Sequence, residues 1–266
     1  MQPADENLNG TAGNGAASLR VGKEKMMDTY SSLKKTMMDL VRNHGLESDE
    51  IVIKARPLTP DEAIGNPEDR DYPLITGRER MMQAEFRDTI GQAYTDMYGN
   101  YTGRLVDIAR MELKNNYRRA IFISSLNAVM RYLGLVDKTV HCRDNEPREC
   151  SARLTEHILE RYGHPRVTIV GFQPRMVESL AGNFEIKVTD MDCANIDSRK
   201  FGTVIQGPQK TREHLDWCDI ALVTGSTIVN DTIGDFIDTK PVIFYGVTIS
   251  GAARVSGFQT YCYCGR

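Results

Sequence analysis

Apolar side chains recur at three- and four-residue steps near the start of the chain. Met26, Tyr30, Leu33, Met37, Leu40 and Val41 fall on one face of a helix spanning about 23–43, which Gly45 stops. Upstream, residues 1–20 carry Gly10, Gly13 and Gly15 and almost no large apolar side chain, the pattern of a disordered N-terminus. Residues 51–55 read as a short strand. Thr59, Pro60 and Glu62 then predict a capped helix start with a capping box. The charged, proline-containing stretch 65–77 reads as a loop, 78–87 as a helix, 92–96 as a strand and 105–114 as a helix. In that reading Arg78 and Glu79 are an exposed helix-start pair; the alternative is that they serve a cleft from the first domain. Residues 120–135 form a strongly apolar helix with Asn127 in its middle. A buried amide left without partners costs roughly 1–3 kcal/mol, so Asn127 is either a bonded core residue or faces a site. A helix over 151–162 follows, preceded by a charged loop that ends at Cys150.

The pattern changes after Gly163, His164 and Pro165. Short apolar runs at 167–171, 184–190, 220–225 and 241–246 alternate with helical stretches at 174–180, 229–237 and 251–255. Strand–helix alternation implies right-handed crossovers and a parallel sheet covered on both faces. The expected fold class is therefore α/β, a C-terminal parallel sheet following an N-terminal α+β region. The expected division is a disordered 1–20, an α+β domain 21–150 and a ligand-binding domain 151–266.

Composition adds little to this but excludes much. Of 266 residues, 41% are hydrophobic and 26% charged, and the net charge is −3. That balance argues against a general nucleic-acid or membrane-surface binder. No apolar run approaches the ~18–20 residues of a membrane span, and the polar N-terminus is no signal peptide. The expectation is a cytoplasmic protein with reduced thiols.

Ligands of open parallel sheets bind beyond the carboxyl ends of the strands. That rule nominates Gly171 with Pro174, then Asp190 and Asp192, then Thr224, Gly225, Ser226, Thr227, Asn230 and Thr232, then Thr248 with Ser250. Phe172 and Pro174 stand where a dinucleotide turn needs glycine and a free N–H, so NAD and FAD are not expected. The hydroxyls after Thr224, placed at a helix start, suit an anion; ordinary N-capping accounts for one of them. Separately, His141, Cys142, Cys150, Cys262 and Cys264 offer soft or borderline donors for a transition metal ion if their two segments meet. The alternative is unrelated thiols. Cys218 reads as core.

Gly171, Pro174, Asp190, the run from Thr224 to Thr232 and the segment Phe244–Gly246 resemble the heavy-metal chelation family, whose biochemistry is unknown. The likeness extends more loosely to Gly77–Glu79, Gly91–Asp96 and the helix bearing Asn127. It implies a Rossmann-like C-terminal half, an N-terminal half like the enolase capping domain, and a site for a metal or metal complex between them. The expected function is binding of a heavy metal or metal complex in that interdomain cleft. The alternative is an enzyme acting on a small anionic or nucleotide-like substrate without a tightly held metal. The expected partner is a small molecule or metal complex, with no nucleic acid and no membrane; the Met-bearing first helix leaves a homo-oligomer open.

Overall fold

A computed structural model describes residues 29–48, 52–237 and 240–266. The stretch 1–20 and the start of the first helix lie outside the described residues. Helix α1 covers 29–43 and buries Leu33, Met37 and Val41, three members of the predicted face.

The first sheet has four antiparallel strands, ordered β3-β2-β1-β4. They are β1 (Val52–Pro57), β2 (Arg80–Phe86), β3 (Thr89–Thr95) and β4 (Tyr101–Arg104). Between β1 and β2 lie short helices α2 (Pro60–Ile64) and α3 (Pro73–Thr76). Thr59 and Glu62 make the expected capping box at α2. Residues 78–87, expected as a helix, are instead mainly strand β2. Met, Gln, Ala and Glu favour a helix locally, but tertiary pairing decides. Met82, Ala84 and Phe86 alternate into one core, while Met81 points into a separate cluster with Leu58 and Tyr72. A two-residue turn, with Arg87 at φ 53°, joins β2 to β3.

Helix α4 (Leu105–Arg110) leads into α5 (Asn116–Tyr132), which is buried from Arg119 to Met130. A helix buried on all sides must be covered all round. Here the first sheet covers one side, and Ala221, Val223 and Phe244 of the second sheet belong to the same core. Gly91 lets β3 approach α5 closely, because a Cβ there would run into the Ser124 carbonyl and the Ala128 amide.

The second sheet has seven strands, ordered β11-β10-β9-β5-β6-β8-β7. They are β5 (Val167–Val170), β6 (Ile186–Thr189), β7 (Arg199–Lys200), β8 (Thr203–Gln206), β9 (Ile220–Thr224), β10 (Val242–Tyr245) and β11 (Thr260–Tyr261). All pair in parallel except the edge strand β7. The helices are α6 (Glu146–Tyr162), α7 (Pro174–Ala181), α8 (Thr211–Trp217) and α9 (Ser250–Ser256). Counted in chain order, the parallel strands run 3-2-1-4-5-6, the doubly wound arrangement whose direction reverses between β5 and β9.

Two local expectations change. Helix α6 begins at Glu146 with Pro147 in its first turn, so Cys150 lies on a helix and the boundary expected at 150/151 falls inside it. Residues 229–237 form no α-helix. Strand β9 opens instead into 3-10 turns at Gly225–Ile228 and Ile233–Asp235. Asp231 takes φ 64° between them, and the flanking β-branched residues and Gly234 do nothing to restore a helix. Among the described residues no helix is long and apolar enough to cross a membrane.

Candidate ligand cleft

The switch point between β5 and β9 opens into a cavity of about 680 Å³, walled on its far side by the first sheet. The chain reverses at Gly171, where φ is 94° and a Cβ would lie 2.8 Å from Thr224 Cγ2 and 2.9 Å from the Tyr245 hydroxyl. Only glycine meets both demands. The Tyr245 hydroxyl donates to the Gly171 carbonyl at 2.8 Å. Asp190, at the end of β6, accepts from the Phe172 amide at 2.5 Å and the Asp192 amide at 2.7 Å. Its carboxylate thus fixes the Gly171 turn while lining the cavity. Burial raises its pKa, and the amides partly offset this.

Thr224, Ser226, Thr227, Asn230 and Thr248 also line the cavity. Their hydroxyls are largely committed within the protein. Thr227 donates to the Thr224 carbonyl at 2.8 Å, Thr224 and Ser226 share a bond at 3.1 Å, and Thr248 accepts from the Tyr94 amide at 3.0 Å. The α-helix expected to start there is replaced by a 3-10 turn, Gly225–Ile228, whose start is capped by the Thr224 hydroxyl accepting from the Ser226 amide. Three nominated residues act behind the wall. Gly225 packs against Ile249, Pro174 is the buried first residue of α7, and Asn127 is fully buried. The Asn127 amide nitrogen donates to the carbonyls of Gln92 at 3.0 Å and of Val247 and Thr248, both at 3.2 Å. Its oxygen accepts from the Gly251 amide at 2.8 Å. It ties β3 to the α9 start and does not line the cavity.

The first sheet contributes residues that sequence patterns placed elsewhere or passed over. Glu79, expected on an exposed helix start, faces the cavity from the entry to β2. Burial, then the nearby Asp190, Asp96 and Asp192, push its carboxyl up to about 7. Asp96 accepts from Asn116 at 2.6 Å, and Asn116 in turn holds the buried Arg119 at 2.6 Å. Tyr94 of β3, and Tyr245 of β10 in the second sheet, also line the cavity, and the strand-end rule nominated neither. The charged lining is five carboxylates, Glu79, Asp96, Asp190, Asp192 and Asp235, against Arg78 alone.

His141, Cys142, Cys150 and Cys262 line one side of the same cavity. Thr139 and Val140 donate to the Arg266 carbonyl, and Arg266 returns a bond to Val140 at 3.0 Å. Arg266 also clasps Glu146 through both carboxylate oxygens at 2.6 Å. This folds residues 262–266 onto α6, where the amides of Cys264 and Tyr263 face the Cys150 sulfur. The two segments meet through the backbone pairing of Thr139 and Val140 with Arg266. Burial pushes the Cys142, Cys262 and Cys264 thiols up to about 12. His141 is committed: its Nδ1–H donates to the Cys142 carbonyl at 2.6 Å, which leaves Nε2 to accept from the Tyr94 hydroxyl at 3.3 Å. Burial lowers its pKa, so the ring is neutral. Among the described residues no three His, Cys, Asp or Glu side chains converge as a metal ion would require. Cys193 is exposed and Cys218 lies in the core.

Residues 154–256 match the family model DUF364, described as "Putative heavy-metal chelation". The chain is similar to that family. The DUF364 match holds Gly171, Asp190, Thr224 and Thr248, while Cys142, Cys150, Cys262 and Cys264 lie outside it. A DUF364 protein of unknown function from Pyrococcus horikoshii shares the fold at 18% identity and a TM-score of 0.51, over 83% of this chain and 79% of that one. Another, from Desulfitobacterium hafniense DCB-2, is 12% identical with a TM-score of 0.46, over 66% of this chain and 72% of that one. No curated protein matches the chain.

Proposed function

We propose that the protein binds a heavy metal already complexed by a small organic chelator, in the cleft at the β5–β9 switch point. The observation that carries this is the cleft's combination of size and charge. At about 680 Å³ it falls in the range of sites that engulf a drug-sized molecule. Its Asp, Glu, Lys and Arg lining is five acidic side chains to one arginine, which favours a cationic or metal-bearing ligand over a free anion.

The donor set decides between a bare ion and a complex. A bare transition ion in a structural site wants about four protein donors. The described residues bring no three together, and His141 is spent on Tyr94 and the Cys142 carbonyl. A chelated ion needs only one or two more, which the half-buried walls supply. In this reading Asp190 and Glu79 face the positive part of the complex. Thr224, Ser226, Thr227, Asn230 and Thr248 meet the polar rim of the chelator. Gly171 and Gly225 keep the backbone close, and Asn127 and Pro174 hold the walls from behind. The metal, once bound, supplies positive charge against the acidic wall. The family description is consistent with this ligand class.

Equilibrium dialysis of the full chain against a panel of metal-loaded and metal-free chelators tests the reading. Saturable binding of a loaded chelator, weakened at least about tenfold by Asp190→Asn, supports it. Equal binding of loaded and metal-free forms would overturn it.

A second reading is favoured by one observation. A carboxyl pushed up to about 7 is poised to exchange protons at neutral pH, so Glu79 suits a general acid or base. The protein would then be an enzyme on a small substrate without a tightly held metal. The acidic lining argues for a neutral or cationic substrate rather than an anionic or nucleotide-like one. Thermal stabilisation by a metal-free metabolite, with none from metal complexes, would shift weight to it, since ligand at 100 times its dissociation constant adds about 2.7 kcal/mol.

A further inference from the structure

The stretch from Gly65 to Gly77 bridges the first sheet to the helices of the second. Along it Tyr72, Pro73, Leu74 and Thr76 line the cavity. Apolar packing holds this stretch to the first-sheet side: Tyr72 and Leu74 share a small cluster with Leu58, Ala63, Ile64 and Met81, apart from both main cores. Charge holds it to the other side. Asp71 pairs with Arg175 of α7 at 2.8 Å, and Asp69 pairs with Arg175 at 3.3 Å and with Arg148 of α6 at 2.9 Å. The Arg175 side chain is 5% exposed, and Glu178 at 2.7 Å and the Phe201 ring set it from behind. The pairing is nonetheless incomplete, because Arg175 Nε and Asp71 Oδ1 are buried with no hydrogen-bond partner. A buried ion pair with unpartnered atoms recovers less of its desolvation cost, so this one fastens without locking.

We propose that residues 66–76 are a lid on the cleft, latched shut by Asp69 and Asp71 on Arg175 and hinged at Gly65 and Gly77. Hinges are a few positions at element ends that absorb the change in backbone angles. Gly65 already takes the left-handed backbone, at φ 69°, and a Cβ at Gly77 would stand 2.7 Å from the Pro73 carbonyl. The first hinge stays fixed to the loop before α6, where Asp144 accepts from the Asn66 amide at 2.8 Å and its own amide donates to the Ile64 carbonyl at 2.8 Å. Arg175 does not line the cavity; it receives the lid. Because Glu178 and Phe201 hold the guanidinium in place, the receiver keeps its position when the lid leaves. Shut, the lid excludes water from the acidic lining, which strengthens every charge interaction inside. Open, it lets a ligand pass. The lid works alike for a metal complex and for a metal-free molecule, so it depends on neither reading of the cleft.

The buried cavity thiols Cys142 and Cys150 report whether the lid opens. The test is iodoacetamide labelling of the reduced full chain under native conditions, with the rate at each cysteine read by peptide mass spectrometry. The exposed Cys193 calibrates the reagent, and Cys218, in the core and outside the cavity lining, reports global unfolding. Asp69→Asn/Asp71→Asn is expected to speed labelling of Cys142 and Cys150 at least about tenfold, because the shut state loses a largely buried ion pair. Cys193 and Cys218 should keep their wild-type rates. Asp71→Asn alone should move Cys142 and Cys150 the same way by less. Asp219→Asn, which breaks an ion pair with Arg166 away from the cavity, should match the wild type. Unchanged rates at Cys142 and Cys150 in the double variant, or an acceleration that Cys218 shares, would overturn the proposal. Hydrogen exchange of the wild type keeps the test open should the double variant fail to fold. The amides of residues 66–76 are expected to exchange together and ahead of those of α6 and α7. Exchange in step with α6 and α7 would show a static clamp and overturn the lid.

Discussion

Asn127→Ala removes a side chain that ties β3, the turn after β10 and the start of α9 to helix α5. The amide donates to Gln92, Val247 and Thr248 and accepts from Gly251, all within 2.8–3.2 Å and fully buried. The nitrogen has two protons for three acceptors, so about three hydrogen bonds are lost in net terms, at roughly 0.5–1.5 kcal/mol each. The Gly251 N–H is then left buried without a partner, and an orphaned donor costs roughly 1–3 kcal/mol. Water entering the vacated volume recovers part of this. The expected loss is about 3 kcal/mol, which for a chain of this size lowers Tm by roughly 6–12 °C. Calorimetry on the wild type and Asn127→Ala measures it. Asn127→Asp keeps the acceptor but turns a carboxyl toward three carbonyls, so its loss should grow as pH rises and the group ionises. An alanine variant within about 1 kcal/mol of the wild type would refute the clamp and reopen a direct ligand role for Asn127.

Gly91→Ala should destabilise by about 1–3 kcal/mol in urea titration, because its Cβ meets α5 backbone that cannot step aside. Gly171→Ala should cost at least ~1–2 kcal/mol from the left-handed backbone alone and, by displacing Thr224 and Tyr245, weaken retention of any cleft ligand; unchanged Tm and binding would contradict the turn's role. Glu79 titrates near 7 in the folded chain against an ordinary 4.5. Between those values the folded state holds a proton that the unfolded state has released, so stability falls as pH rises through this window. Glu79→Gln should flatten that slope in denaturation series from about pH 5 to pH 8, and an identical slope in the variant would contradict the crowding by Asp190, Asp96 and Asp192.

Strands β5, β6, β9 and β10 of the second sheet were legible because each is a short apolar, β-branched run closed by a glycine or a polar turn. Asp190 was legible for the same reason: a carboxylate at a strand end has one place to point. Strand β2 was not, since Met81, Gln83, Ala84 and Glu85 are helix formers whose strand pairing with β1 and β3 is non-local. Losing β2 also made a helix start the favoured reading of Glu79 over its cleft role, because only the hairpin aims it into the cavity. The short strands β7 and β8 passed unseen because Arg199 and Lys200 are exposed, and Ile205 is the one buried residue of β8. The turn after Thr224 misled in the opposite direction: its hydroxyls and glycine fit a helix cap, but the bonds they make are 3-10 and internal. The meeting of the segments that carry Cys142 and Cys262 depends on Arg266 pairing with Val140 and Glu146, a contact between remote segments that no local pattern encodes.

The most direct test of the cleft account is elemental analysis combined with native mass spectrometry on protein purified anaerobically without added chelators. The account predicts a transition metal accompanied by an organic mass of a few hundred daltons, the size that fits about 680 Å³, both lost together on denaturation. A chain that carries neither metal nor added mass, and that takes up no metal-loaded chelator from the panel, would contradict it.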